Sequence, residues 1–242
     1  MSKNNSILIV EDEEAIRTGL VDVFVYHGFE VEFAEDGAVG LKKALSGQFD
    51  LIILDVMLPS INGFDICKNI REKDKSQPII MLTAKTADED IIQGLTLGAD
   101  DYVAKPFSVA QLVLRVQAVL RRSLSSLIDN ETIQLSVGHV IDLQNLTIDN
   151  NNQLTSFTKR EMQVIAFLNQ NRHRPVSREE LLTEVWGYQP NMAIETRTVD
   201  IHIAKIRKKI EINPKLPEFL ITVRGAGYKL IVVDATSEAK GQ

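Results

Sequence analysis

Across 242 residues, 33 Asp+Glu stand against 27 Lys+Arg, and 44% of the chain is hydrophobic. That length suits two ordinary domains with proper cores, while no apolar run approaches the ~18 residues of a membrane span. A single cysteine, Cys67, excludes an internal disulfide and a cysteine-rich zinc site, and the start Met-Ser-Lys-Asn-Asn-Ser lacks a signal-peptide core, so the expected compartment is the cytoplasm.

The charge is uneven. Residues 1–122 hold 13 Lys+Arg against 19 Asp+Glu, and residues 123–242 hold 14 of each. Within the second half, Thr196 to Lys229 carries eight basic residues against Asp200, Glu211 and Glu218, the local asymmetry that a phosphate-backbone footprint shows.

Taken in chain order, strand-length apolar runs recur at Ile7–Val10, Val31–Ala34, Leu51–Leu54, Ile79–Leu82 and Tyr102–Ala104. Helical spacing fills the intervals at Glu14–His27, Val39–Leu45, Ile66–Lys73, Asp88–Leu97 and Ser108–Arg122. Five βα units with continuous apolar strands predict an α/β domain, a parallel sheet covered on both faces, over 1–122. Small polar residues at 123–131 read as a linker, and 235–242 as a disordered tail. From 132 to 234 the pattern becomes α+β, with short strands near 133–148, helices at 158–170, 177–186 and 195–210, and a glycine-tipped hairpin at Phe219–Val232.

In open parallel sheets ligands sit beyond the carboxyl ends of the strands. The residues there are Glu11 and Asp12 after the first strand, Asp55 after the third, Thr83 after the fourth and Lys105 after the fifth. Three converging carboxylates repel one another, and a hard divalent cation such as Mg²⁺ relieves that repulsion. The set suits phosphoryl transfer onto a carboxylate. Asp55 would be the nucleophile, Lys105 and the metal would neutralise phosphoryl oxygens, and the Thr83 hydroxyl would bond the product.

The strings Ile7-Leu-Ile-Val-Glu-Asp-Glu13, Leu54-Asp-Val-Met-Leu-Pro59, Met81-Leu-Thr-Ala-Lys85 and Lys105-Pro-Phe107 resemble the receiver domain of two-component response regulators. The resemblance implies a flavodoxin-like sheet of order 2-1-3-4-5 whose Asp55 accepts a phosphoryl group from a sensor histidine kinase. It also implies a Mg²⁺ site at Glu11, Asp12, Asp55 and the Met57 carbonyl, a switch pair in Thr83 and Tyr102, and a cis Pro106 after Lys105.

Two capping signatures open the later helices, Thr158 with Glu161 and Ser177 with Glu180. In the third, Val199, Ile203, Ile206 and Ile210 form a core face, and Arg197, Thr198, His202, Lys205, Lys208 and Lys209 are expected on the opposite side, facing phosphates or base edges. The hairpin tip presents Arg224, and a helix followed by a basic hairpin is a winged helix. Arg197-Thr-Val-Asp-Ile-His202 with Val223-Arg-Gly-Ala-Gly-Tyr228 resembles the effector domain of the OmpR/PhoB class. That resemblance implies double-stranded DNA and RNA polymerase as partners, with Trp186, Arg197, Thr198, His202, Lys205, Arg207, Thr222, Arg224 and Tyr228 at the DNA contact. Ala204 departs, standing where relatives often carry arginine.

The resemblance further implies a phosphorylation-dependent homodimer through the fourth helix, fifth strand and fifth helix. Asp100, Asp101, Arg115 and Arg122 stand where two ion pairs would form, whereas Ile91 and Gln111 replace a third. An alternative reading, a Mg²⁺-dependent phosphohydrolase, lacks a second acid/base carboxylate, because the residues two past Asp55 and Thr83 are Met57 and Lys85. A flavodoxin-like cofactor binder is disfavoured by the acidic loop Glu11–Glu14. The chain is thus expected to be a DNA-binding regulator and not an enzyme, beyond assisting its own phosphorylation.

Overall fold

The computed structural model describes residues 4–84, 88–121, 132–188 and 196–233. The chain divides into two compact units, Met1–Arg122 and Ser123–Gln242. The expected linker at 123–131, the tail at 235–242, and Lys85, Arg122 and Glu195 lie outside the described residues.

The first unit alternates strand and helix without interruption: β1 (Ser6–Val10), α1 (Glu14–Tyr26), β2 (Glu30–Ala34), α2 (Gly37–Ala44), β3 (Leu51–Asp55), α3 (Gly63–Lys73), β4 (Ile79–Thr83), α4 (Asp88–Leu97), β5 (Asp101–Ala104) and α5 (Val109–Arg121). All strands are parallel, in the order β2-β1-β3-β4-β5. Side chains alternate across a strand. Ile7, Ile9, Leu51, Ile53, Ile80 and Leu82 therefore face one way, into a core with Leu20 and Phe24 of α1 and Leu112, Val113 and Val116 of α5. Their neighbours Leu8, Val10, Ile52, Leu54, Ile79 and Met81 are equally buried on the other face. Burial on both faces explains the uninterrupted apolar runs. The edge strand β2 is the exception, with Glu30, Glu32 and Phe33 exposed, as charged edges resist pairing with foreign strands.

The second unit opens with an antiparallel meander of β6 (Thr132–Ser136), β7 (His139–Asp142), β8 (Thr147–Asn150) and β9 (Gln153–Ser156). The polar β9 lay beyond the strand region expected from apolar patterning. Next come α6 (Lys159–Gln170) and α7 (Arg178–Leu181), the latter continuing as a π-helical stretch, Leu182–Trp186, that stops at Gly187 in the left-handed region. The Thr158–Glu161 capping box is complete: the Thr158 hydroxyl accepts from the Glu161 amide and the Glu161 carboxylate accepts from the Thr158 amide. At α7 only half of it forms. Ser177 accepts from the Glu180 amide, but the Glu180 carboxylate pairs with Arg174.

Helix α8 (Arg197–Ile210) packs Val199, Ile203, Ile206 and Ile210 into the core, as its periodicity requires. The hairpin β10 (Leu220–Val223) and β11 (Gly227–Leu230) closes the unit, and Tyr228 bridges to Val176. At Gly227 a Cβ would fall 2.0 Å from the Val176 carbonyl oxygen, so only glycine permits this approach.

Candidate functional site

At the carboxyl ends of β1 and β3, carboxylate oxygens of Glu11, Asp12 and Asp55 lie within 4.8 Å of one another. Lys105, one residue past β5, ion-pairs with Asp55 Oδ2 and with Glu11 Oε2 at 2.8 Å. The Met57 amide donates to Asp55 Oδ1 at 3.0 Å, so the two oxygens of Asp55 are held by different partners. Glu11 and Asp55 are buried, and Asp12 is exposed at the mouth. Burial pushes the Glu11 carboxyl up to about 7; the Lys105 hydrogen bond opposes this, and the Asp55 charge adds to it. Lys105 itself is raised, because its bonds to Asp55 and Glu11 outweigh its burial. Buried carboxylates sharing one lysine form a site short of positive charge, which fits a divalent cation. The Lys105–Pro106 bond is cis.

Two residues that motif reading passed over build this site. Arg17 of α1, itself buried, donates through Nη1 to the carbonyls of Glu11 and Asp12, both at 2.9 Å, and so fixes the acidic loop. Its place one turn into an amphipathic helix concealed it. Gly63 opens α3 against the end of β3, where a Cβ would lie 2.1 Å from the Asp55 carbonyl oxygen. Beside the site, Ala15, Ile16, Gly19 and Val23 of α1 line an apolar groove with Pro106 and Phe107.

Thr83 is fully buried and shares a hydrogen bond with the Tyr102 side chain. Burial raises the Tyr102 hydroxyl pKa against the effect of that bond. The residues expected at a dimer face are placed differently from one another. Ile91 is partly buried and Gln111 exposed. Asp100 is buried, accepting from Arg71 at 3.0 Å and from the Ile79 amide at 2.8 Å, and buried Asp101 pairs with Arg115 at 3.0 Å. Both carboxylates are thus satisfied inside their own chain.

The expected DNA-contact set also divides. Trp186 and His202 are core residues, their rings 5.1 Å apart edge to face, and His202 Nδ1 bonds the Thr198 carbonyl at 2.9 Å. Burial, then the Lys205 charge, push the His202 pKa down to about 3. Thr198 and Tyr228 are buried too, the Tyr228 hydroxyl donating to Asp200 at 2.6 Å and accepting from Arg178 at 2.7 Å. Lys205 and Lys209 pair with the fully buried Glu161 at 3.2 and 2.5 Å. Thr198, His202 and Lys205, expected on the side of α8 away from the core, instead turn inward, and Trp186 of the preceding helical stretch and Tyr228 of β11 are buried as well. Burial would raise the Glu161 carboxyl, but the two lysines bring it down to about 2. Arg197 remains partly exposed, and Thr222 and Arg224 are exposed on the hairpin. Arg207 donates to the Leu220 carbonyl and to Thr222 Oγ1, both at 2.8 Å, tying the hairpin to α8.

Residues 7–117 match the response regulator receiver domain, and residues 152–230 match the C-terminal domain of transcriptional regulatory proteins. The chain is 42% identical over 224 residues to the response regulator ArlR of Staphylococcus haemolyticus, covering 92% of this chain and 98% of that protein. It is 41% identical over 234 residues to the alkaline phosphatase synthesis transcriptional regulatory protein PhoP of Bacillus subtilis, covering 94% and 97%. A solved structure of a RitR mutant superposes with a TM-score of 0.71 at 27% identity, over 95% of this chain and all of that one.

Proposed function

The chain belongs to the two-component response regulators of the OmpR/PhoB class, and on that premise we propose that Asp55 is its phosphoacceptor and that α8 and the β10–β11 hairpin carry its DNA contact. It is a phosphorylation-controlled, DNA-binding regulator of transcription. The observation that supports Asp55 is the convergence of Glu11, Asp12 and Lys105 upon it. An Asp55 oxygen attacks the phosphorus of a sensor kinase phosphohistidine, the P–N bond breaks, and the carboxyl becomes an acyl phosphate. Lys105 neutralises the phosphoryl oxygens, and Arg17 keeps the acidic loop in place. Glu11, Asp12 and Asp55, with the Met57 carbonyl, would hold Mg²⁺, which when bound neutralises further phosphoryl charge. The kinase must approach Lys105, and the apolar groove along α1 offers it a surface.

A phosphoryl group on Asp55 gives the Thr83 hydroxyl a new acceptor in place of Tyr102. Release of Tyr102 then carries the change to β5 and its neighbours α4 and α5, where the phosphorylated chain pairs with a second copy through Ile91, Gln111 and Arg115. Two copies bind direct half-sites about one helical turn apart and present the bound protein to RNA polymerase in the cytoplasm. Among the described residues no helix is long and apolar enough to cross a membrane. The test is intact-mass measurement after incubation with a small phosphodonor and Mg²⁺: one phosphoryl group is expected on the unaltered chain and none on Asp55→Asn. Equal labelling of the Asn variant would remove the assignment.

A further inference from the structure

The outward face of α8 is narrower and less polar than its sequence suggests. One side of the helix is core: Thr198, Val199, His202, Ile203, Ile206 and Ile210 are buried. The two flanks are tied to the rest of the domain. On one, Asp200 accepts from Tyr228 and Arg178 at 2.6 and 2.7 Å, and Arg207 donates to Leu220 and Thr222. On the other, Lys205 and Lys209 hold Glu161. The line directly opposite the core runs through Arg197, Ile201, Ala204 and Lys208, at spacings of 4, 3 and 4. Ala204 and Lys208 are exposed, and Arg197 and Ile201 partly so.

The middle of that line is hydrocarbon. Ile201 and Ala204 have no side-chain donor or acceptor, so neither can read the hydrogen-bonding groups of a base edge. The major groove displays one hydrocarbon group that they can read, the C5 methyl of thymine. Three residues rise ~4.5 Å along a helix, between one and two of the ~3.4 Å steps of a DNA strand. The short Ala204 side chain lets the backbone come near the bases, while the cations at the ends of the line suit the flanking phosphates.

We propose that Ile201 and Ala204 are the base-reading residues of α8 and that they select two thymine methyl groups one or two steps apart in each half-site. This rests on the reading of α8 as the DNA-contacting helix.

The experiment selects duplexes from a random pool with the full-length protein, then replaces each thymine of the enriched half-site by uracil, which lacks only the methyl group. Affinity should fall about fourfold at each of two thymines, the ~0.8 kcal/mol of one buried methyl-sized group, and stay unchanged at the others. Ile201→Ala should bind with the uracil penalty lost at one of the two positions and kept at the other. An enriched site without thymine pairs at that spacing, or one indifferent to uracil throughout, overturns the methyl readout while leaving DNA binding intact. Enrichment of no duplex overturns both.

Discussion

Glu161 meets two demands with one carboxylate: it completes the cap of α6 and it neutralises Lys205 and Lys209 of α8. Its neighbour in the same core, His202, is kept neutral, and the two groups give the second unit a two-stage response to acid. The folded pKa of His202, about 3, lies below its ordinary 6.5, so between those values the unfolded chain binds the extra proton and stability falls as pH falls from about 6.5 towards 3. Glu161, at about 2 against an ordinary 4.5, adds a second loss between about 4.5 and 2. The chain has one tryptophan, Trp186, packed on His202, so its fluorescence reports this unit. Thermal melts followed by that signal should show a midpoint declining from pH 6.5 downward, and His202→Gln should flatten the profile down to about pH 4.5. A variant with the parent slope would contradict the assignment. At Asp55, the proposed phosphoacceptor, Gly63→Ala forces a Cβ against the backbone carbonyl and should slow labelling by a small phosphodonor, with a stability loss of about 1–3 kcal/mol. Mass-spectrometric time courses beside urea unfolding would check both.

Helix α8 shows why an amphipathic pattern only half specifies an element. Its apolar spacing sets which face is core, yet the polar residues on either side of that face differ in fate, because α6 offers a carboxylate to one flank and the hairpin offers Tyr228, Leu220 and Thr222 to the other. Removing one partner of a buried ion pair leaves the remaining charge unsatisfied. Glu161→Gln should therefore cost about 3–5 kcal/mol in denaturant unfolding monitored at Trp186. It should also weaken DNA binding, since α8 loses an anchor. A loss below about 1 kcal/mol, the size of an exposed pair, would mean that Lys205 and Lys209 find water at little cost. The hairpin is held in the same way from below, the Glu211 carboxylate accepting from the amides of Glu218, Phe219 and Leu220.

For the molecule as a whole, the proposed output of phosphorylation is association. Asp100 and Asp101 are bound to Arg71 and Arg115 within one chain, and Ile91 is partly exposed on α4. Exposed ion pairs contribute about 0–1 kcal/mol each, and burying an isoleucine about 1.5–3 kcal/mol. The dimer should accordingly be insensitive to salt and weakened by Ile91→Lys. Sedimentation of the phosphorylated protein at two salt concentrations tests this. A phosphorylated chain that stays monomeric ends the dimer reading, and an undiminished Ile91→Lys dimer ends the role of Ile91.

Local chemistry by itself determined the alternation of strands and helices, the strand-end residues Glu11, Asp12, Asp55, Thr83 and Lys105, and the core face of α8. Each is written in residue type and period: uninterrupted apolar strands must be covered on both faces, and a crevice at their carboxyl ends follows from parallel order. What lay beyond it was the fate of individual polar side chains. Arg17 beneath the acidic loop, Glu161 between two lysines, Asp100 on Arg71, and Tyr228 on Arg178 depend on partners 5 to 50 residues away in the chain. The inward turn of Trp186 and His202 is of the same kind, each ring packed on the other from a different helical segment. Periodicity places a side chain on a face, but whether a charged or aromatic group on the margin of that face points out or in depends on which element packs beside it, and only the tertiary structure decides that.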